Sequence, residues 1–291
     1  MSARRIRLDV AYDGTRFKGW ARQPGLRTVQ GEIEEAMVRV LRSDVRLVVA
    51  GRTDAGVHAS GQVAHADLDE EQWRRATVRR RRNWSDEDPI AFLARRVQGA
   101  LGAHSDVAVT RTSTAPAGFD ARFSATWRRY QYRVADDVGG YDPIARRNTT
   151  FVRARLDVDA MNEAARSLIG LHDFAAYCKP REGATTIRTL LEYDWHRDDR
   201  GVLVANVRAD AFCHSMVRAL VGACVAVGNG RLEVSDVARL RDELTRTSEF
   251  SVLDARGLTL MAVGYPADDQ LEARAELTRR RRDAGEIIAD S

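Results

Sequence analysis

The pattern of apolar and polar positions predicts two successive sets of strands and helices along the 291-residue chain. Strict alternation over residues 6–12 predicts a strand with one buried face. Thr28 is placed to cap a helix whose apolar face includes Ile33 and Met37. The other elements expected in this first set are strands at 46–50, 61–68 and 106–112 and a helix at 90–101.

The second set repeats this mixture. Alternation over residues 128–134 predicts a strand with Tyr130 and Tyr132 on one face. An amphipathic helix is expected over 158–170, with Gly170 as its C-terminal cap. The remaining expected elements are strands at 187–195, 202–210 and 258–265 and helices at 215–227 and 234–244. Helices beside alternating strands in both sets predict the α+β class, with a mixed, largely antiparallel sheet flanked by helices.

These sets suggest a division of the chain into two similar α/β halves. We expect an N-terminal half over residues 1–112, a C-terminal half over 113–266 and a charged tail over 267–291. The tail contains an arginine run at 279–282 among acidic residues, which indicates a solvated helix with i,i+4 ion pairs. A second arginine run, at 79–82, lies in a polar stretch that is typical of a surface loop.

Composition excludes several classes of protein. The longest apolar stretch, 219–227, is too short to cross a bilayer, and the N-terminus leads into a strand rather than a secretory signal. Three cysteines, Cys178, Cys213 and Cys224, indicate a reducing cytoplasm, where we expect them to act as buried small hydrophobes. No cysteine or histidine spacing supports a metal site. A net charge of +4 mildly indicates a polyanionic partner.

The stretch 51–58, Gly-Arg-Thr-Asp-Ala-Gly-Val-His, carries the strongest sign of chemistry. It follows a short apolar run that is typical of a buried strand, and it sets Asp54 between two glycines and two residues after Arg52. A carboxylate near a cation on such a loop is a candidate nucleophile. Alternatively, Asp54 forms an Asx-turn and has no chemical role.

Several segments, in order along the chain, resemble the TruA-type tRNA pseudouridine synthases. They are Tyr12-Asp13-Gly14-Thr15 with Gly19-Trp20, Arg27-Thr28-Val29-Gln30, the stretch 50–65, Ala121-Arg122-Phe123-Ser124-Ala125 with Tyr130 and Tyr132, His172-Asp173-Phe174, the stretch 211–218, and Gly257-Leu258-Thr259-Leu260. A lone Gly-Arg-Thr-Asp would be weak evidence, but seven segments in the family's order are strong evidence.

The resemblance implies an activity and an assembly. Members of this family isomerise uridine to pseudouridine at positions 38, 39 and 40 of the tRNA anticodon stem-loop, without a metal or organic cofactor, as homodimers. It implies a pseudouridine synthase fold, with a cleft between two similar halves, and a cytoplasmic enzyme.

The resemblance also implies roles for four residues. Asp54 matches the catalytic carboxylate, which acts as a nucleophile or as a base, and Arg218 matches the arginine that pairs with it. Arg52 matches the residue that fills the space left by the flipped base, although a loop arginine also suits a phosphate contact. Tyr130 matches the tyrosine that stacks on that base.

Other residues in the matching segments allow structural interpretations. For His58 and for His65, a structural role is at least as well supported as a functional one. We expect Tyr132 to lie in the core. Phe119, Phe123 and Leu258 suit either a pocket wall or the core.

The chain departs from the family pattern at three places, none of them a catalytic position. The usual histidine before Ala-Arg-Phe-Ser is Asp120 here, the Leu-Pro-x-Asp segment lacks its proline around residues 101–106, and residues 73–89 resemble an insertion. These departures bear on RNA contacts and on loop geometry at the cleft entrance.

Two other functions compete with the synthase. A catalytically idle tRNA-binding protein on the same scaffold would have no need for a carboxylate beside RNA phosphates, so the joint presence of the four residues disfavours it. An acid-base hydrolase would need a second carboxylate, and the nearest in sequence to Asp54 are Asp44 and Asp67.

Overall fold

The computed structural model describes residues 3–78, 89–181 and 185–279, and the chain forms two compact units. The first unit comprises Met1–Ala125 and Ala262–Arg279, and the second comprises Thr126–Met261. The contacts therefore divide the chain at 125/126 and 261/262, whereas the sequence-based division lies at 112 and 266. The arginine run at 79–82 and most of the run at 279–282 lie outside the described residues.

The first unit is built on an antiparallel sheet. It contains strands β1 (Arg4–Tyr12), β2 (Val48–Val49), β3 (His58–Leu68) and β4 (Val107–Thr114) and helices α1 (Val29–Leu41), α2 (Glu70–Thr77) and α3 (Ala91–Leu101). Strand β1 lies between β3 and β4, and β2 pairs with β3. Ile6 and Leu8 alternate with less buried neighbours and are fully buried, as the period of two predicts.

Helix α1 forms where the sequence predicts it. The hydroxyl of Thr28 accepts a hydrogen bond from the backbone N–H of Gly31 at 3.3 Å, which satisfies one of the free donors of the first turn. Ile33, Met37 and Leu41 are fully buried along one face. The capping role and the apolar face predicted for this helix are therefore confirmed.

The second unit also contains an antiparallel sheet with helices. Its strands are β5 (Trp127–Ala135), β6 (Thr150–Phe151), β7 (Gly170–Asp173), β8 (Ile187–Arg197) and β9 (Leu203–Ala209), and its helices are α4 (Val158–Arg166), α5 (Met216–Gly228) and α6 (Val234–Asp242). The strand order is β5-β9-β8-β7, with β6 parallel to the end of β5. The predicted α+β class with largely antiparallel strands is confirmed.

The division at 261/262 falls within β10 (Leu258–Gly264), and α7 (Leu271–Arg279), in the first unit, is the last described element. Leu271 is buried in a cluster with Ala50, Val63, Phe119 and Ala121. The first turn of the predicted solvated tail helix therefore packs into the core. Phe119 belongs to this core. Of the two interpretations of Phe119, pocket wall or core, the structure therefore favours the core.

The helix predicted over 158–170 is too long. Helix α4 ends at Arg166, and Gly170 has φ of 120° at the start of β7, where it pairs with Leu190 of β8. Pairing with a neighbouring strand overrides the local helical pattern here. Two strand boundaries also differ from the prediction. The strand predicted at 46–50 is limited to β2, and β3 begins at His58 rather than at residue 61.

The prediction that all three cysteines act only as buried small hydrophobes is wrong for two of them. Cys178 and Cys213 form a disulfide, with Cα atoms 5.8 Å apart. The N–H of Lys179 donates to the carbonyl of His214 at 2.9 Å, so long-range pairing brings the two segments together. Cys224 is unpaired and buried, and burial raises the pKa of its thiol to about 12.

No helix among the described residues is long and apolar enough to span a membrane.

An ion pair between Asp136 and Arg197 lies at the C-terminal end of β5. The carboxylate of Asp136 accepts hydrogen bonds from Arg197 at 2.7 and 2.9 Å, and from the backbone N–H groups of Val138, Gly139 and Leu156. Burial raises the pKa of Asp136, but these hydrogen bonds and the charge of Arg197 outweigh it, so the pKa lies well below its usual range.

We expect Asp136→Asn to lower the free energy of unfolding by about 3 kcal/mol at pH 7, because Arg197 loses its buried partner. The pKa of Asp136 is lower in the folded state, so its contribution is complete above the unfolded-state pKa of about 4 and declines below it. Urea unfolding at pH 7 and at about pH 3 measures this difference. A gap between wild type and variant that does not narrow at the lower pH would contradict the assignment.

Candidate active site

The 51–58 loop connects β2 to β3 and presents Asp54 and Arg52 from one tight turn. Gly56 has φ of 80°, and the N–H of Val57 donates to the backbone carbonyl of Asp54 at 3.2 Å. Arg52 is exposed and Asp54 is partly buried. A backbone carbonyl therefore closes this turn.

A second segment, residues 12–20, supports this loop from its other side. The N–H of Trp20 donates to the carbonyl of Thr53 at 3.0 Å, and the N–H of Gly56 donates to the carbonyl of Phe17 at 3.4 Å. A Cβ atom on Gly14 would lie 2.0 Å from the carbonyl oxygen of Val57. The approach of the two backbones therefore requires glycine at position 14.

A buried polar cluster holds the base of the loop. The hydroxyls of Tyr12 and Thr53 are 2.8 Å apart, and the side-chain amide of Gln62 donates to the Tyr12 hydroxyl at 3.3 Å and to the carbonyl of Gly51 at 2.9 Å. Burial raises the pKa of Tyr12 to about 12, so this hydroxyl stays protonated as a hydrogen-bonding group. The cluster ties both the start and the middle of the loop to strands β1 and β3.

Both histidines in this region have structural contacts. Nδ1 of His58 accepts a hydrogen bond from the N–H of Gly14 at 3.0 Å, and Nδ1 of His65 accepts one from the N–H of Ala121 at 3.0 Å. Burial, together with the charge of Arg5, lowers the pKa of His65. These contacts agree with the structural interpretation of the two residues.

Tyr130 lies on β5 in the second unit, opposite Val207 of β9. Its side chain is 8% exposed, and its ring meets that of Phe212 edge-on, with centroids 5.1 Å apart. Tyr132, on the same face, is fully buried and donates its hydroxyl hydrogen to the carbonyl of Asp254 at 2.6 Å. Its predicted place in the core is confirmed.

Arg218 lies in the first turn of α5, a helix that is otherwise buried throughout, as predicted. Its Nε donates to the carbonyl of Leu253 at 2.6 Å, and the N–H of Leu253 donates to the carbonyl of Arg218 at 3.3 Å. Burial raises the pKa of Asp254, but hydrogen bonds from Arg256 and the charges of Arg256 and Arg218 lower it below its usual value. Arg218 is therefore held at a defined place by backbone on a neighbouring segment.

The structure thus groups the four predicted residues as two pairs, one in each unit. Arg52 and Asp54 share one loop, Tyr130 lies two residues before Tyr132 on β5, and the charge of Arg218 acts on the Tyr132 hydroxyl. Sequence reasoning missed the supporting roles of Gln62, Thr53 and Phe212, although all three lie inside the matching segments. Among the described residues, no cluster of three or more histidine, cysteine, aspartate or glutamate side chains could hold a metal ion.

Comparison with known proteins gives consistent results. A family model described as tRNA pseudouridine synthase matches residues 164–266. The chain is 60% identical over 282 residues, 95% of its length and 97% of the relative, to the tRNA pseudouridine synthase A of Leifsonia xyli subsp. xyli (strain CTCB07). It is 53% identical over 278 residues to the enzyme of that name from Streptomyces griseus subsp. griseus, covering 94% of this chain and 93% of the relative. It is 46% identical over 275 residues to that from Mycobacterium leprae (strain TN), covering 94% of each chain.

Proposed function

Because the chain belongs to the tRNA pseudouridine synthase family, we propose that it isomerises uridine to pseudouridine at positions 38, 39 and 40 of the tRNA anticodon stem-loop. Membership makes it an isomerase of tRNA uridines. The observation that carries the catalytic part of the proposal is the 51–58 loop, in which a second backbone segment and a buried polar cluster hold the turn that bears Asp54.

We propose that Asp54 starts the reaction. The N1–C1′ bond of the uridine breaks, the uracil turns, a C5–C1′ bond forms, the C5 proton is released and N1 gains a proton. Atoms and electrons balance within the nucleotide, so the isomerisation requires no redox cofactor or group acceptor. A carboxylate serves either as the nucleophile or as the base in this sequence, provided that it is ionised.

Arg218 is the proposed cationic partner of the Asp54 carboxylate. Burial in a closed pocket raises the pKa of a carboxyl group, and a nearby guanidinium lowers it again. Anchoring of Arg218 by the Leu253 carbonyl supports this role, because a fixed cation holds a partner without further loss of side-chain entropy.

Arg52 and Tyr130 are the proposed contacts of the flipped nucleotide. Removing a base from its stack costs a few kcal/mol, and an exposed arginine on the catalytic loop is able to fill the space that the base leaves. Stacking on an aromatic ring returns about 1–3 kcal/mol per base. The edge-on contact with Phe212 supports Tyr130 in this role, because it fixes the plane of the ring.

Further features of the proposal rest on the family resemblance. The enzyme acts as a homodimer, in the cytoplasm where tRNA is found, and without a bound metal ion. Because no metal ion is proposed, we expect full activity in excess chelator. Because a homodimer is proposed, we expect sedimentation equilibrium to give the mass of a dimer.

Mapping of pseudouridine in cellular tRNA tests the proposal. Cells that lack the chain should lose pseudouridine at positions 38, 39 and 40 and keep it elsewhere in the same tRNAs. Retention at all three positions would contradict the proposed target.

A further inference from the structure

A surface of the second unit combines exposed arginines with exposed apolar side chains. We call it the 141–155 surface, and it comprises Tyr141, Ile144, Phe151, Arg153 and Arg155. Tyr141 is 61% exposed and Ile144 is 89% exposed, while Phe151 and both arginines are also exposed. Large apolar residues grouped in this way on a soluble unit indicate a binding surface.

The segment that carries this surface is firmly held. The Tyr141 and Phe151 rings meet edge-on, with centroids 6.0 Å apart, and β6 pairs Phe151 with Ala135 at the end of β5. Asp136 accepts hydrogen bonds from the backbone at both ends of the segment, at Val138 and at Leu156. The exposed side chains therefore project from an ordered backbone, which lowers the entropic cost of binding.

The charge of the surface is positive. The stretch 137–155 contains two aspartates and four arginines, and Asp142 already lies 3.8 Å from Arg200 in an ion pair. Within the described part of the chain, neither Arg153 nor Arg155 has an ion-pair partner. Unneutralised arginines in the same segment as exposed aromatic rings are a combination with which proteins bind RNA, the cations contacting phosphates and the rings contacting bases.

The charge of Arg256 acts on one residue of this surface and also on Tyr132. Arg256 forms an ion pair with Asp254 at 3.1 Å, and its charge acts on the hydroxyls of both Tyr132 and Tyr141. Tyr132 in turn lies within reach of the charge of Arg218.

We propose that the 141–155 surface binds the tRNA backbone outside the target nucleotide, with phosphates on Arg153 and Arg155 and a base or ribose against Tyr141 and Ile144. This inference rests on the proposed function and extends it to a second RNA contact. A second copy of the chain is the less favoured occupant, because a two-fold contact would place this positive surface against itself.

Equilibrium binding of an unmodified tRNA transcript to the full chain, measured across a salt series, tests the inference. The variants are Arg153→Gln/Arg155→Gln and Tyr141→Ser/Ile144→Ser. The control, Arg39→Gln/Arg166→Gln, removes two exposed charges from helices α1 and α4 instead. All of these positions are exposed, and thermal unfolding checks that each variant is folded.

The arginine variant should bind tRNA about tenfold more weakly, and its log–log salt slope should fall by roughly 1.4 to 1.8, the value for two lost phosphate contacts. The Tyr141→Ser/Ile144→Ser variant should lose about fivefold in affinity with an unchanged slope. The control should change affinity less than about twofold, because screening weakens the attraction of distant charges. Turnover should match wild type in the control.

Equal affinities and slopes in the arginine variant and the control would overturn the inference while leaving the proposed function intact. So would a change from dimer to monomer in the Tyr141→Ser/Ile144→Ser variant with unchanged tRNA affinity, since that result assigns the surface to a second copy. A wild-type chain that does not bind tRNA would overturn both the inference and the proposed function.

Discussion

Replacing Asp54 by asparagine is expected to abolish pseudouridine formation while leaving the affinity for tRNA within about twofold of wild type. The amide keeps the size and planarity of the carboxylate but acts neither as a nucleophile nor as a base at neutral pH. Loss of such a group costs about 10²-fold or more in rate. Tritium release from tRNA that carries 5-tritiated uridine measures turnover, and filter binding measures affinity.

Asp69→Asn provides a matched control for this experiment. It makes the same change of charge at the N-terminus of α2, where Asp69 accepts a hydrogen bond from the N–H of Gln72 at 2.7 Å. Asparagine caps helices as well as aspartate does, so stability and turnover should both be retained. Turnover by Asp54→Asn above about a tenth of the wild-type rate would contradict the proposed role, since general-base loss alone costs 10²-fold or more.

Gly14→Ala is expected to lower kcat by about 100-fold, although residue 14 carries no reactive group. The added Cβ would lie 2.0 Å from the carbonyl oxygen of Val57, so the 12–20 segment and the 51–58 loop must move apart. Displacement of a catalytic group by about 1 Å costs about 100-fold in rate. The same strain should lower the free energy of unfolding by about 2 kcal/mol. Single-turnover kinetics and urea unfolding measure the two effects.

The control for this variant is Gly99→Ala. Nothing lies within 4 Å of a Cβ built on Gly99, which sits in helix α3. Alanine is the better helix former, so this variant should gain about 0.5–1 kcal/mol and retain full activity. If Gly14→Ala were as active as Gly99→Ala, the 12–20 segment would not position the Asp54 turn.

Local patterns predicted the parts of the fold that depend on local physics. The alternation in β1 and β5 reflects a sheet with one buried face, and the Thr28 cap and apolar stripe of α1 reflect helix geometry. These features need only neighbours within a few residues, so a single sequence contains them.

Long-range contacts account for the errors. Helix α4 stops early because Gly170 joins β7 and pairs with Leu190, twenty residues away. The Cys178–Cys213 bond depends on two segments that only the fold brings together. Neither event leaves a signal in the local pattern of apolar positions.

The candidate site shows the same distinction. Glycines around a carboxylate after an apolar run pointed to a functional turn at Asp54, and the turn is present. Its supports could not be predicted, because the Tyr12, Thr53 and Gln62 cluster joins three separate stretches of chain. The need for glycine at position 14 likewise arises from a backbone 43 residues further along.

The most direct test of the account uses the purified chain and a single tRNA transcript with uridine at positions 38, 39 and 40. Site-by-site mapping after incubation should show pseudouridine at those positions alone. A matched transcript with cytidine at all three should show none. Pseudouridine formed at other positions, or in the cytidine transcript, would contradict the account.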